Sequence, residues 1–247
     1  MPDAEQIAHR LVRRIVAVAD PAIRVRYLRH EIAEMDPGTI ADVLTIAVHG
    51  TEARDGDAGA LLLALCLALA DESSAETRER VVRIAIAQGQ HATAELLHPR
   101  PPERSSDEPI AVPDFGRGRT VTLGERKALA RTRDRDLLAR VLRDPDPSVI
   151  RILLENPTLT ERDVIRLCAR RPMAPDILRE VFRSTRWIVR YGVRKAIVRN
   201  PFAPVDVALQ LAAHLNATDA REIVESPELA SSVRDACRRV AGMATLH

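Results

Sequence analysis

The stretch SVIRILLENP at residues 148–157 recurs as GVRKAIVRNP at residues 192–201, an offset of 44 positions. The register continues beyond each Asn-Pro pair, since Thr160 matches Pro204 and Leu167 matches Leu211. A period of roughly 20 to 50 residues is typical of helical units that stack because none of them can bury its apolar face alone. The repeat therefore predicts an array of short, stacked helices in the second half of the chain.

The composition favours helices along the whole chain. Apolar residues make up 46% of the 247 residues, but Phe, Trp and Tyr together make up only 2%. Ala, Leu, Arg and Glu are good helix formers, whereas sandwiches and barrels draw on β-branched and aromatic residues. We therefore predict an all-α fold: a short-helix repeat array, or α-solenoid, preceded by a smaller helical N-terminal region.

The N-terminal region, residues 1–98, shows the spacing of amphipathic helices. Ile7, Leu11 and Ile15 recur every four residues, and Asp3 is placed to cap this first helix. Asp-Pro pairs at residues 20–21 and 36–37 predict further helix starts, because Pro is tolerated in a first turn. The apolar run at 58–70 predicts a buried helix, since about thirteen residues at roughly 1.5 Å each do not span a bilayer.

Five prolines between residues 99 and 113 mark a change in amino-acid composition. Such a segment cannot hold a helix, so we predict an extended or disordered linker at residues 99–121. Thr122 and Glu125 then form a capping-box pattern that opens the repeat domain, residues 122–247.

Regularly spaced X-Pro pairs divide the repeat domain into short helices, because the residue before proline is pushed out of the α region. Helices of about ten residues are marginal alone and must gain stability from stacking. We predict them at 122–131, 134–143, 147–155, 160–170, 174–183, 187–199, 203–215, 218–225 and 229–242.

The segment VRKAIVRNPFAP at residues 193–204 resembles the units of the leucine-rich-repeat variant family, and DPDPSVIR at 144–151 with Asn156-Pro157 echoes it. The resemblance covers roughly residues 140–240. It implies a right-handed superhelix of short helices, related to HEAT and armadillo arrays, that serves as a binding scaffold. Two features depart from the family: the unit here is about twice the usual length, and the cysteine cluster of its iron–sulfur member is missing. We therefore expect no cofactor.

Motifs for catalysis are not found in the sequence. There is no GxxxxGK[ST], GxGxxG, HExxH or GxSxG, and the seven histidines are scattered. Cys66, Cys168 and Cys237 are odd in number and far apart, which argues against a disulfide framework or a metal site. We expect a non-enzymatic protein without metal, without a secretory signal or membrane insertion, and in the cytoplasm.

Arginines recur at helical spacing between residues 162 and 199. This stretch contains eleven Arg and Lys residues but only three Asp and Glu residues. Arg can bind carboxylate or phosphate with two parallel hydrogen bonds, and aromatic rings beside it can stack on Arg or on a base. The alternatives are a solvated helix face with local ion pairs, a self-contact with the acidic N-terminal half and, for Trp187, a core position between repeats. The candidate binding residues are Arg162, Arg166, Arg170, Arg179, Arg183, Arg186, Trp187, Arg190, Tyr191 and Arg194.

These patterns together predict a protein–protein interaction scaffold or regulatory adaptor that acts through a helical-repeat surface. The expected partner is another protein with an acidic surface. The alternative is a nucleic-acid-binding helical-repeat protein that uses the arginine stripes at 162–199. Steep salt dependence would distinguish nucleic acid, because counterions are released from its phosphates.

Overall fold

The computed structural model describes residues 3–106, 108–116 and 118–243, and all regular structure in these residues is helical. The predicted all-α class is confirmed. The chain folds into two compact units. Unit 1 comprises Met1–Arg100 and Val205–His247, and unit 2 comprises Pro101–Pro204.

The helices are short after the first five. Unit 1 begins with α1 (Ala4–Val16), α2 (Pro21–Glu34), α3 (Pro37–Glu52), α4 (Gly56–Leu69), a single 3-10 turn (Glu72–Ser74), α5 (Ala75–Ala87) and α6 (His91–Leu97). Unit 2 holds α7 (Leu123–Leu129), α8 (Arg135–Val141), α9 (Pro147–Leu154), α10 (Glu161–Ala169), α11 (Pro175–Arg183), α12 (Thr185–Ile188) and α13 (Tyr191–Val198). The chain then returns to unit 1 with α14 (Val205–Ala212), α15 (Ala217–Val224) and α16 (Ser231–Ala241).

Most helix starts follow the signals read from the sequence. Asp20 and Asp36 each accept two backbone hydrogen bonds at the start of α2 and α3, with Pro in the first turn. Thr122 and Glu125 form the predicted capping box of α7. Asp3 occupies the N-cap position of α1, but its side chain makes no capping hydrogen bond, so that part of the prediction is wrong.

The core of unit 1 is built around α4 and α14. Eleven of the fourteen residues of α4 are buried, as predicted for the apolar run, and α1, α2 and α3 pack against it. All eight residues of α14 are buried, where α6 and α16 pack on it. Among the described residues, no single helix has the length and apolar character needed to cross a membrane. Only α4 and the segment Glu72–Ala87, taken together, reach that length and apolar character, and the chain bends by 90° between them.

Arg54 joins the two sequence-distant parts of unit 1. Its backbone is left-handed (φ 69°), and its guanidinium reaches the ends of two C-terminal helices. The guanidinium donates to the Leu215 carbonyl beyond α14, at 3.0 Å, and to the Val240 carbonyl in α16. The sequence prediction places residues 122–247 in one domain, whereas the observed packing groups 205–247 with the first hundred residues.

The described residues of the proline-rich segment form no helix, and the segment makes a few contacts within unit 2. Phe115 and Val121 are buried. The Arg104 amide donates to the Pro201 carbonyl at 3.0 Å, and Arg140 donates to the Asp114 carbonyl at 3.1 Å. The segment contributes two apolar side chains to the core of unit 2.

The two Asn-Pro pairs of the repeated stretch are structurally equivalent. Asn156 is buried, and its amide nitrogen donates to the carbonyls of Ala130 and Thr132 at the end of α7. Asn200 is likewise buried and donates to Cys168 and Arg170 at the end of α10. Each Asn thus supplies donors to carbonyls that the ending helix leaves unsatisfied.

We predict that Asn156→Ala and Asn200→Ala each lower the free energy of unfolding of unit 2 by about 2 kcal/mol. The reason is that each substitution leaves one buried and one part-buried carbonyl without its side-chain donor. Urea unfolding followed by Trp fluorescence measures this, because the only tryptophan, Trp187, lies in unit 2. The exposed neighbour Glu155→Ala is the control and should change stability by less than about 0.5 kcal/mol. Asn200→Ala with wild-type stability would contradict the assigned role.

We also predict that Cys66, Cys168 and Cys237 resist thiol reagents in the native protein. All three are free and buried, and burial raises the pKa of each thiol, to about 12 for Cys66 and Cys237. The thiolate is the reactive species, so labelling with Ellman's reagent at pH 8 should begin only when the chain unfolds. Rapid labelling of any one thiol without denaturant would show that its helix opens locally.

Candidate functional site

The predicted helix 187–199 is interrupted, which changes the arrangement of the third arginine group. Helix α12 ends at Ile188 and α13 begins at Tyr191, with Arg190 extended (ψ 123°) at the N-cap position. Arg186, Arg190 and Arg194 therefore do not form one stripe on one helix, and the prediction of a single helix here is wrong. The X-Pro signal that marks other breaks in this unit is missing at residues 189–190.

Several of the predicted site residues hold helix ends together. Arg170, at the end of α10, donates to the Leu142 carbonyl at the end of α8, at 3.0 Å. Arg186 donates to the Asn156 carbonyl beyond α9, at 3.1 Å. Cationic side chains are favourable at helix C-termini, where carbonyls lack partners. These arginines have a structural task that leaves them less available to a ligand.

The aromatic residues of the candidate set are engaged within unit 2. Trp187 is 4% exposed, and its indole donates to the Leu154 carbonyl at 2.7 Å. Arg186 lies over its ring at 4.5 Å, and the half-buried Arg194 lies 5.9 Å from the Tyr191 ring. Burial lowers the pKa of Arg194. Trp187 therefore matches the core alternative and offers no stacking face to a nucleobase.

The remaining members of the candidate set differ in exposure. Arg162 and Arg166 are exposed on α10, and Arg190 is exposed before α13. Within the described residues these three have no side-chain hydrogen bond or ion pair. Arg179 is half-buried on α11, and Arg183 is paired with Glu180 at 3.1 Å.

A groove of about 380 Å³ runs between α10 and α13 on this face of unit 2. Its floor consists of small or apolar side chains, and its rim is basic. The lining residues are Ile165, Ala169, Arg171, Gly192, Lys195, Ala196, Arg199 and Asn200. At about 100° per residue, Arg162 and Arg166 lie beside Ala169 on the exposed face of α10. Helical geometry thus places one predicted pair next to the groove, outside its lining residues.

Gly192 allows the close approach of the two helices that form the groove. A Cβ at this position would lie 2.6 Å from Cδ1 of Ile165, well inside van der Waals contact. Ile165 of α10 therefore takes the space of the missing side chain at the start of α13. The position 44 residues earlier is Ser148, so the repeat itself does not predict this contact.

Sequence reasoning missed Arg171, Lys195 and Arg199, which form the rim of the groove. Lys195 and Arg199 are four residues apart, which is the same signal that identified the other stripes. Counting in steps of four from Arg186 assumes a continuous helix, on which Lys195 and Arg199 lie outside the stripe of Arg186, Arg190 and Arg194. Because the helix is broken before Tyr191, residues of α13 do not continue the spacing that begins at Arg186. The face of α13 beside α10 consists of Gly192, Lys195, Ala196 and Arg199.

Charge is distributed unequally between the two units. Residues 101–204 carry 22 Arg and Lys against 14 Asp and Glu, a formal charge of +8. The residues of unit 1 carry 15 Arg and Lys against 21 Asp and Glu, a formal charge of −6. The small net charge of the whole chain, +2, conceals this division.

Glu180 is a buried acid that balances part of this positive charge. Arg151 of α9 donates to both of its carboxylate oxygens, at 2.7 and 2.9 Å, and Arg183 donates at 3.1 Å. Burial alone would raise the pKa of Glu180, but the two arginines outweigh it and the net pKa is lowered. The pair Arg151–Glu180 connects α9 to α11.

Comparison with protein-family models, with curated proteins and with solved structures finds no match for this chain. The resemblance to the leucine-rich-repeat variant family therefore depends on the residues quoted for it.

We predict that Glu180→Gln lowers the stability of unit 2 by about 2 kcal/mol at pH 7, because charged hydrogen bonds to both arginines are lost. Since the folded pKa is depressed, this contribution is complete above the ordinary glutamate pKa and disappears as pH falls through the lower folded value. The variant should therefore lose less stability than the wild type between pH 6 and pH 3. Urea unfolding at several pH values measures this, with exposed Glu155→Gln as control. Parallel stability curves for Glu180→Gln and wild type would contradict it.

Proposed function

We propose that this protein is a non-enzymatic helical adaptor that binds an acidic protein partner through the basic face of α10 and α13. The observation that carries the proposal is the exposed set of bases along the α10–α13 groove, in a unit with a formal charge of +8. Electrostatic complementarity steers association and selects partners of opposite charge.

The proposal includes the architecture inferred from the repeat. The equivalent roles of Asn156 and Asn200, each joining its turn to the end of an earlier helix, support a short-helix repeat of the HEAT or leucine-rich-repeat variant kind in unit 2. Repeats of this kind offer extended surfaces between adjacent helices. The groove between α10 and α13 is a surface of that type.

A protein partner is favoured over nucleic acid by the state of the aromatic residues. Binding of single strands relies on aromatic faces on which bases stack. Trp187 is buried and hydrogen-bonded to a backbone carbonyl, and Tyr191 is half-buried with Arg194 near its ring. The exposed bases remain, and these suit carboxylates on a protein surface.

We predict that Arg162→Glu with Arg166→Glu abolishes capture of the partner from a lysate of the source cells. These side chains are exposed and have no hydrogen bond or ion pair within the described residues, so the fold should tolerate the change. The matched control is Arg80→Glu with Arg83→Glu, which alters the net charge equally on an exposed face of α5. Capture with and without nuclease, quantified by mass spectrometry, measures the effect.

The expected result is a set of acidic proteins retained by the wild type and the control, lost with the α10 variant, and unaffected by nuclease. Loss of all captured proteins after nuclease treatment would support nucleic acid and overturn the proposal. Equal capture by the wild type and the α10 variant would also overturn it, because the basic face would then be dispensable.

A further inference from the structure

The groove between α10 and α13 has a floor that offers methyl groups and few polar atoms. Ile165, Ala169 and Ala196 contribute the apolar part. Asn200 also lines the groove, but its amide nitrogen donates to Cys168 and Arg170, and its oxygen accepts from the Phe202 amide. The one polar side chain near the floor is therefore committed to the fold, and the floor contacts a ligand mainly through apolar atoms.

This floor decides what form of polypeptide the groove can accept. An extended chain would desolvate its own amides and carbonyls against the floor without gaining partners, which is costly. A helix satisfies its backbone internally and presents only side chains. Small floor residues also let a helix approach closely, and a volume of about 380 Å³ lies within the range of ligand clefts.

The basic residues around the floor are spaced about one helical turn apart. Lys195 and Arg199 are four residues apart on α13, and Arg162 and Arg166 are four apart on α10, which corresponds to about 6 Å along each helix. The described lining residues include three bases, of which Arg171 donates to the Arg199 carbonyl at the end of α13. The described lining includes no acid, but the Glu161 carboxylate lies beside it, 3.4 Å from where a Cβ of Gly192 would stand. Carboxylates four residues apart on a partner helix have the same 6 Å repeat.

We infer that this groove is the docking site for an acidic amphipathic helix of the partner, with small apolar residues along one stripe and Glu or Asp at four-residue intervals beside it. The inference depends on the proposed function, since it specifies how the acidic partner is recognised. Helix-in-groove binding of this kind relies on anchors at i, i+3, i+4 and i+7.

The test uses two fluorescein-labelled, Ala-rich peptides of 20 residues and the full-length protein. The first peptide has Glu pairs four residues apart on both sides of an alanine stripe. The second has the same composition, but its Glu residues are spread around the helix. Fluorescence anisotropy at 150 mM salt should show binding about tenfold tighter for the first peptide. Equal affinities would overturn the inference, since charge alone would then explain binding.

Variants of the groove separate its shape from its charge. Ala169→Phe with Ala196→Phe should weaken binding of the first peptide at least tenfold without changing any charge, while exposed Ala139→Phe on α8 should leave it unchanged. Lys195→Gln with Arg199→Gln should reduce the salt dependence of binding. Circular dichroism checks each variant for folding, and the comparison of the two peptides on the wild type needs no variant.

The outcomes for the two proposals can be distinguished. Suppose that Arg162→Glu with Arg166→Glu abolishes capture of the partner, but that Ala169→Phe with Ala196→Phe (the groove-filled protein) binds the first peptide normally. The adaptor function then stands and the groove inference fails. If a 20-base-pair DNA duplex binds more tightly than the first peptide at 150 mM salt, both proposals fail. Concentration-dependent dimerisation that is lost in the groove-filled protein, measured by sedimentation, would assign the groove to a second copy and overturn the inference.

Discussion

The carbonyl groups at the ends of short helices are the constraint on which this structure depends. Every α-helix leaves its last carbonyls without partners inside the helix. From α6 to α15 no helix is longer than nine residues, so a large share of the backbone lies at a helix end. Buried carbonyls without donors would cost about 1 to 3 kcal/mol each. Donors from neighbouring segments therefore have to be supplied throughout both units.

Asparagine and arginine supply these donors. Asn156 and Asn200 serve the ends of α7 and α10, and Arg78 donates to the Leu69 carbonyl at the end of α4, at 2.7 Å. Arg170 and Arg186 act in the same way on α8 and α9. An arginine can reach such carbonyls across a helix interface because its apolar stem packs along the surface while the guanidinium donates at its tip. Part of the arginine richness of this chain therefore has a structural explanation.

The positive charge that remains outside these roles is what gives unit 2 a candidate function. Arg162 and Arg166 stand on the exposed face of α10, beside a groove whose floor is apolar and whose rim is basic. The +8 formal charge of unit 2 already counts Glu180 and Asp144, each of which is buried against an arginine.

Local chemistry made much of the fold predictable from the sequence. Asp-Pro and Thr-x-x-Glu patterns start helices through short-range hydrogen bonds, so the starts at Pro21, Pro37 and Leu123 could be predicted. The break before Tyr191 could not, because no proline marks it; the long-range hydrogen bond from Trp187 to the end of α9 is seen only in the folded chain. The groove residues Lys195 and Arg199 were missed for the same reason.

The sequence by itself determined that the chain is all helical, where most helices begin and end, and that its two Asn-Pro stretches repeat. These properties follow from backbone propensities, caps and periodicity, which act over a few residues. Only the tertiary structure decided that residues 205–247 pack with the first hundred, and which arginines are used at helix ends and which face solvent. Those outcomes depend on contacts between residues far apart in the chain, such as Arg54 with Leu215, and no local pattern encodes them.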